Sequence, residues 1–214
     1  MGTEMLGVAM IVLLVSAVNP VSAGQIAGTG AKMATRIKSC QSRGIKVLLS
    51  LGGATKNYGF NSADEARSLA QEIWDKYLGG NGNRPLGDAQ LDGIDLDLEN
   101  GRSAFYPDLG GRLREIAQNN NYKKLYISAA PQCPFPDNSL GPQNGKFLSG
   151  LPVPQVFLGV LASSTTGDAG FIDSGTLTNS ILPRIKSIGN YGGVMLWKPL
   201  SNGGSYASAI KSFV

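Results

Sequence analysis

Between Leu91 and Gly101 the chain reads LDGIDLDLENG, with Asp95, Asp97 and Glu99 alternating with Ile94, Leu96 and Leu98. Successive side chains of an extended strand point to opposite faces, so three carboxylates share one face and three aliphatic residues the other. Burying neighbouring acids is costly, because each loses hydration and raises the proton affinity of the next. Such a strand either turns its acids to solvent at a sheet edge or uses them. The apolar opposite face and the amphipathic stretches on both sides favour a central strand, predicted over Gly93 to Leu98. Like charges this close cannot all ionise at neutral pH, so one carboxyl keeps a proton to donate. Glu99, last in the row, is the natural donor. Asp97, one step deeper, can alternate between Asp95 and a reacting group and stabilise developing positive charge. That chemistry fits glycoside hydrolysis through an oxocarbenium-like transition state. The other use of such a row is divalent-metal binding, although no neighbouring loop supplies carbonyls in an EF-hand pattern.

Around this strand, short apolar runs alternate with helical patterns. Helix is predicted for Ala31 to Ser42, strand for Ile45 to Leu51, and helix for Ala63 to Leu78, with Asn61 or Ser62 as its cap. After the acidic strand come a helix over Tyr106 to Gln118 and a strand over Lys124 to Ala129. A Pro-rich loop, Pro131 to Pro154, follows. The remainder reads as strand Val156 to Leu161, helix Thr176 to Ile188 broken near Pro183, strand Gly193 to Trp197 and helix Tyr206 to Val214. Every crossover is long enough for parallel pairing, so the class is α/β.

The 214 residues suffice for one domain. A net charge of +4 without a basic block gives no footprint for nucleic acid, and the absence of His removes His-based triads and zinc sites. At the N-terminus, Leu6 to Val18 is almost wholly apolar and Val21-Ser22-Ala23 resembles a processing site. Residues 1–23 are therefore read as a signal peptide and 24–214 as the mature domain, although the first residues lack the usual positive charge. The apolar run is shorter than the roughly 20 residues of a membrane span, so a secreted protein with no membrane attachment after cleavage is expected.

The four acids of Asp92, Asp95, Asp97 and Glu99 fall in the register of the DxxDxDxE motif, and the segment resembles the signature of family 18 glycoside hydrolases. Other stretches resemble the plant class III, hevamine-like chitinases of that family. These are Ser39-Cys40-Gln41, Gly44 to Val47, Leu49-Ser50-Leu51-Gly52-Gly53, Arg84 to Asp88, Ala129 to Asp137 and Tyr191 to Trp197. The resemblance implies a TIM (β/α)8 barrel and cleavage of β-1,4-linked N-acetylglucosamine polymers such as chitin, with retention of configuration. The substrate's own acetamide would be the nucleophile. It further implies that Glu99 protonates the glycosidic oxygen, that Asp97 orients the acetamide, and that Asp95 shares a proton with Asp97. Asp92 is expected to be structural. Trp197 would form the aromatic floor beneath the sugar, where a Trp read alone would pass for core, and Gly52, Gly53 and Gln132 would line the substrate groove. No cofactor or metal is expected. The product would be a monomer, secreted to the apoplast or vacuole, with a role in plant defence.

The same resemblance exposes departures. Only five or six of the eight strands have recognisable counterparts, so the barrel is predicted to be incomplete. The first two strands and the sixth βα unit lack matches, and with the latter goes a Tyr that in the family helps hold the acetamide. Cys40 and Cys133 match family half-cystines whose partners fall in the unmatched segments, so two unpaired thiols are favoured over a bridge between them. An open parallel sheet leaves an edge prone to aggregation. Three functions therefore compete: an active endochitinase, a catalytically impaired carbohydrate-binding or xylanase-inhibitor-like protein, and a truncated product without function.

Overall fold

The computed structural model describes residues 10–14, 27–53, 58–132, 137–140, 155–165, 169–197 and 203–214, with backbone alone for 10–14, 27–31 and 203–204. The elements run β1 (Met10–Leu14), α1 (Ala27–Gln41), β2 (Lys46–Gly53), α2 (Ala63–Tyr77), β3 (Gly93–Leu98), α3 (Tyr106–Asn119) and β4 (Tyr126–Ala129). They continue with β5 (Val156–Leu161), α4 (Ser174–Thr176), a π-helical turn over Leu177–Ile181, α5 (Leu182–Ile185), β6 (Tyr191–Trp197) and α6 (Gly203–Ile210). Contacts divide the chain into two compact units, one holding Val8–Leu151 and the other Pro152–Val214.

In the larger unit the four strands lie in the order β1-β2-β3-β4, all parallel. Leu48, Leu49, Ile94, Leu96 and Leu98 are fully buried, and Ala66, Ala70, Leu109 and Leu113 of the covering helices are equally inaccessible. This is the near-continuous apolar burial that parallel strands with covered faces require. Helix α2 starts as its sequence dictates: the Ser62 side chain accepts from the Glu65 N–H, and the Glu65 carboxylate takes the Asn61 N–H at 2.7 Å. The smaller unit pairs β5 with β6 in parallel and packs them on a second cluster built from Val160, Leu177, Leu182, Tyr206 and Ile210.

Several elements differ from expectation: α1 begins at Ala27 rather than Ala31, β2 extends to Gly53, β6 begins at Tyr191 rather than Gly193, and α6 covers Gly203–Ile210 rather than Tyr206 to Val214. Met10–Leu14 lies inside the apolar run that the sequence reads as a leader, yet its backbone pairs residue by residue with Lys46 to Ser50. A short β-branched and aliphatic run satisfies a buried parallel strand as well as it does a signal sequence. Strand β4 begins at Tyr126 rather than Lys124, after Lys123 has turned to a carboxylate beneath the sheet. The helical segment starts at Ser174, capped by Asp173, and loosens into a π turn just ahead of Pro183. The missing N–H of a proline disfavours the regular ladder at that point. Cys40 is an unpaired thiol on α1, whereas Cys133 lies outside the described residues.

Candidate active site

Strand register builds the acidic site in layers. Ser50 of β2, Asp95 of β3 and Ser128 of β4 are direct partners across the sheet. Being in phase, their side chains share the face that carries Asp97. The Ser50 hydroxyl donates to one Asp95 oxygen at 2.9 Å and the Ser128 hydroxyl to the other at 2.6 Å. Burial pushes the Asp95 carboxyl above its ordinary range, and the two hydroxyls oppose that push. Both oxygens thus meet donors, an arrangement suited to a carboxylate held in place and unlike one opened to a cation. Among the described residues no group of three or more Asp, Glu, His or Cys side chains is arranged to hold a metal ion.

One layer further along, Asp97 is half-buried and paired with Gly52. Burial first, then the charges of Glu99 and Asp95, drive its carboxyl from the usual carboxylate range to about 6. Gly52 is needed at this point. It adopts φ +117°, and a Cβ there would stand 2.0 Å from the Asp97 carbonyl oxygen. Gly53, the last residue of β2, adopts φ +93°. Glu99 sits just beyond the end of β3 with its side chain exposed. Its N–H donates to the Tyr58 hydroxyl at 2.6 Å.

Asp92 lies at the opposite end of the strand and does different work. Its buried carboxylate accepts from the Val47 N–H, the Gln41 amide and the Lys123 ammonium, each at 2.9 Å. Burial raises its pKa, but these donors outweigh burial and leave it below the usual value. The result pegs α1, β2 and the start of β4 together beneath the sheet.

The family model of glycosyl hydrolases family 18 matches residues 15–151. The chain belongs to that family. An acidic endochitinase of Beta vulgaris is 41% identical over 213 residues, covering 85% of this chain and 72% of that protein. Among solved structures, the chitinase of Ipomoea carnea is 34% identical with a TM-score of 0.78, over 88% of this chain and 81% of its own. A xylanase and amylase inhibitor, XAIP-III, is 25% identical with a TM-score of 0.72, over 86% and 80% of the two chains. By family, then, the protein is a glycosidase on a TIM-barrel fold, and its described residues supply a partial set of the barrel's strands.

The family motif falls on β3 and its flanks, where the fold brings together Asp95, Asp97, Glu99, Gly52 and Gly53. Gln132 is exposed shortly after β4. Trp197 ends β6 in the smaller unit, 44% exposed, with its carbonyl accepting from Ala162. Sequence reasoning missed Ser50, Ser128 and Tyr58. The signal for the serines was available: each is a lone polar residue inside a strand, at the level the register sets opposite Asp95. Tyr58 lies in a loop, where no periodicity marks it.

Proposed function

We propose that the chain hydrolyses β-1,4-linked N-acetylglucosamine polymers by a substrate-assisted retaining mechanism. Glu99 protonates the glycosidic oxygen. Asp97 orients the acetamide whose carbonyl attacks the anomeric carbon and stabilises the oxazolinium that forms, while Asp95 shares a proton with Asp97. The observation that carries this reading is the tied-off Asp95 beneath an Asp97 raised to about 6, with Glu99 exposed at the strand's end. An Asp97 carboxyl that gains or loses its proton near neutrality is suited to alternating between Asp95 and the acetamide. Gly52, Gly53 and Gln132 line the groove in this scheme; taken by itself, the exposed Trp197 of the smaller unit offers a face suited to an apolar sugar surface. Hydrolysis of a soluble chitin oligomer is the test. Glu99→Gln abolishes it on this reading, and an unchanged rate rejects Glu99 as the acid.

A second reading is a binding protein without turnover. The likeness to XAIP-III favours it, as does the thin cover over β5 and β6. Cooperative melting of the purified chain with no hydrolysis would support this reading over the first, and absence of a cooperative transition would support a chain without function. We further propose that residues 1–23 are a leader and that the domain over 24–214 acts as a secreted monomer. N-terminal sequencing of the secreted chain checks this: a start near Gly24 is expected, and retention of Met10–Leu14 overturns it.

A further inference from the structure

The loop after β2 reaches across to the end of β3 through one side chain. Tyr58 is 4% exposed, and its hydroxyl accepts the Glu99 N–H at 2.6 Å while donating to the Gly53 carbonyl at 3.1 Å. The tyrosine's own carbonyl accepts from the Asn100 side-chain amide at 2.8 Å. Beyond it, the Gly101 N–H ends on Ser139 and the Arg102 N–H on the Asn100 side-chain oxygen. Ser139 is itself held, because Asp137 accepts its N–H and that of Leu140. The backbone that launches the Glu99 side chain is thus fastened from the loops after both β2 and β4.

We infer that Tyr58 is a positioning residue for Glu99, fixing the point at which β3 ends and hence the direction in which the acid leaves the strand. This rests on the glycosidase reading, in which Glu99 must meet a glycosidic oxygen within hydrogen-bond reach. Burial raises the phenol above its ordinary value, and the Glu99 and Asn100 N–H groups oppose that rise. The charges of Glu99 and Asp97 raise it again, so Tyr58 stays a neutral donor and acceptor beside both carboxyls. The same chain contains a tyrosine whose hydrogen bond has no such neighbour. Tyr122 donates to the Leu91 carbonyl at 2.7 Å, near Asp92 and away from Glu99. It is the control for losing a tyrosine hydroxyl that donates to a backbone carbonyl.

The experiment compares the full chain with its Tyr58→Phe and Tyr122→Phe variants by kcat and KM on a soluble chitin oligomer and by NMR titration of the Asp97 carboxyl. Tyr58→Phe should lower kcat roughly 10- to 100-fold, as a small misplacement of a catalytic group does, with KM within about twofold. Tyr122→Phe should leave kcat unchanged. The Asp97 midpoint, near 6 in the parent, should fall in Tyr58→Phe as the Glu99 charge swings away and water enters, and stay put in Tyr122→Phe. Equal responses of the two variants overturn the inference. A parent chain that folds without hydrolysing the oligomer defeats the glycosidase reading instead. The titration then decides alone: a fall confined to Tyr58→Phe upholds the positioning role, and an unmoved midpoint overturns it. Should Tyr58→Phe fail to fold, Asn100→Ala releases the Tyr58 backbone while keeping its hydroxyl, and is expected to give the same pattern at smaller size.

Discussion

The two sheets are written in similar residues but are not equally covered. In β2 and β3, Leu48, Leu49, Ile94, Leu96 and Leu98 are inaccessible, with α2 and α3 packed over their outer face. In β5 and β6, Leu158, Val194 and Leu196 are only half-buried, Val156 is 50% exposed, and Val160 is the buried strand residue. An apolar strand pattern states a demand for cover, and neighbouring elements decide whether it is met. At ~25 cal/mol per Å² of apolar area removed from water, the half-met demand in β5 and β6 leaves that sheet the weaker. A parallel pair is particularly exposed to such a shortfall, because it expects cover on both faces.

Glycine substitutions should separate the sheets most sharply. A Cβ on Gly93 would lie 1.8 Å from the Tyr126 carbonyl oxygen, in the middle of the β3–β4 pairing. Backbone cannot yield there, so Gly93→Ala should cost about 4 kcal/mol or more. At Gly159 of β5 the new methyl would meet only the end of the Met195 side chain, at 3.1 Å. That atom moves freely, and Gly159→Ala should stay within about 0.5 kcal/mol of the parent. Urea melts followed by tryptophan fluorescence can read each region. Trp74 is buried under the large sheet, Trp197 is exposed at the end of the small one, and either can be replaced by Phe. Equal costs at the two glycines would break the comparison.

Truncation of aliphatic side chains gives the next largest contrast. Leu96→Ala empties a sealed position of β3 and should cost about 3 kcal/mol, whereas Leu158→Ala on β5 removes a side chain already partly in water and should cost about 1 kcal/mol. The same melts measure both. A loss at Leu158 as large as at Leu96 would mean that the small sheet is packed as tightly as the large one.

How much of this was legible beforehand follows the same division between local pattern and partner. The bounds of β3 and β5 match the sequence expectation because six-residue apolar or alternating runs bounded by turn residues leave little choice. Helix α2 was equally plain, since its stripe and its Ser62 cap are both local. Met10–Leu14 was not, because the same aliphatic run suits a leader core or a strand, and its pairing with Lys46 to Ser50 depends on residues distant along the chain. At the site, the row Asp95, Asp97 and Glu99 could be placed on one face from strand period alone. The partners Ser50 and Ser128 required the register between strands, and Tyr58 required the path of a loop. Sequence carried the identity of the acids, while their environment came from contacts distant along the chain.

The smallest expected effect concerns charge, and it sharpens what tight cover costs the large sheet. A carboxyl whose folded pKa lies above its unfolded value binds protons more readily in the native state. Stability then falls as pH rises from the unfolded value towards the folded one. For Asp97 that window runs from the ordinary carboxylate value of 3.8 to about 6, so at neutral pH its ionised form weighs against the fold. Asp97→Asn keeps the shape and removes the charge. It should therefore raise the melting temperature at pH 7, by less than Leu96→Ala lowers it. The gain should shrink through the window as pH falls and vanish below about pH 4, where Asp97 is protonated in both states. Asp92 provides the opposite sign in the same sheet: its folded pKa is lowered, so its contribution is present at neutral pH and lost as pH falls through that lowered value. Thermal melts of the parent, Asp97→Asn and Asp92→Asn across this range resolve the two. A gain in Asp97→Asn that persisted at low pH would show that Asp97 destabilises the sheet by its shape or hydrogen bonding and not by a buried charge.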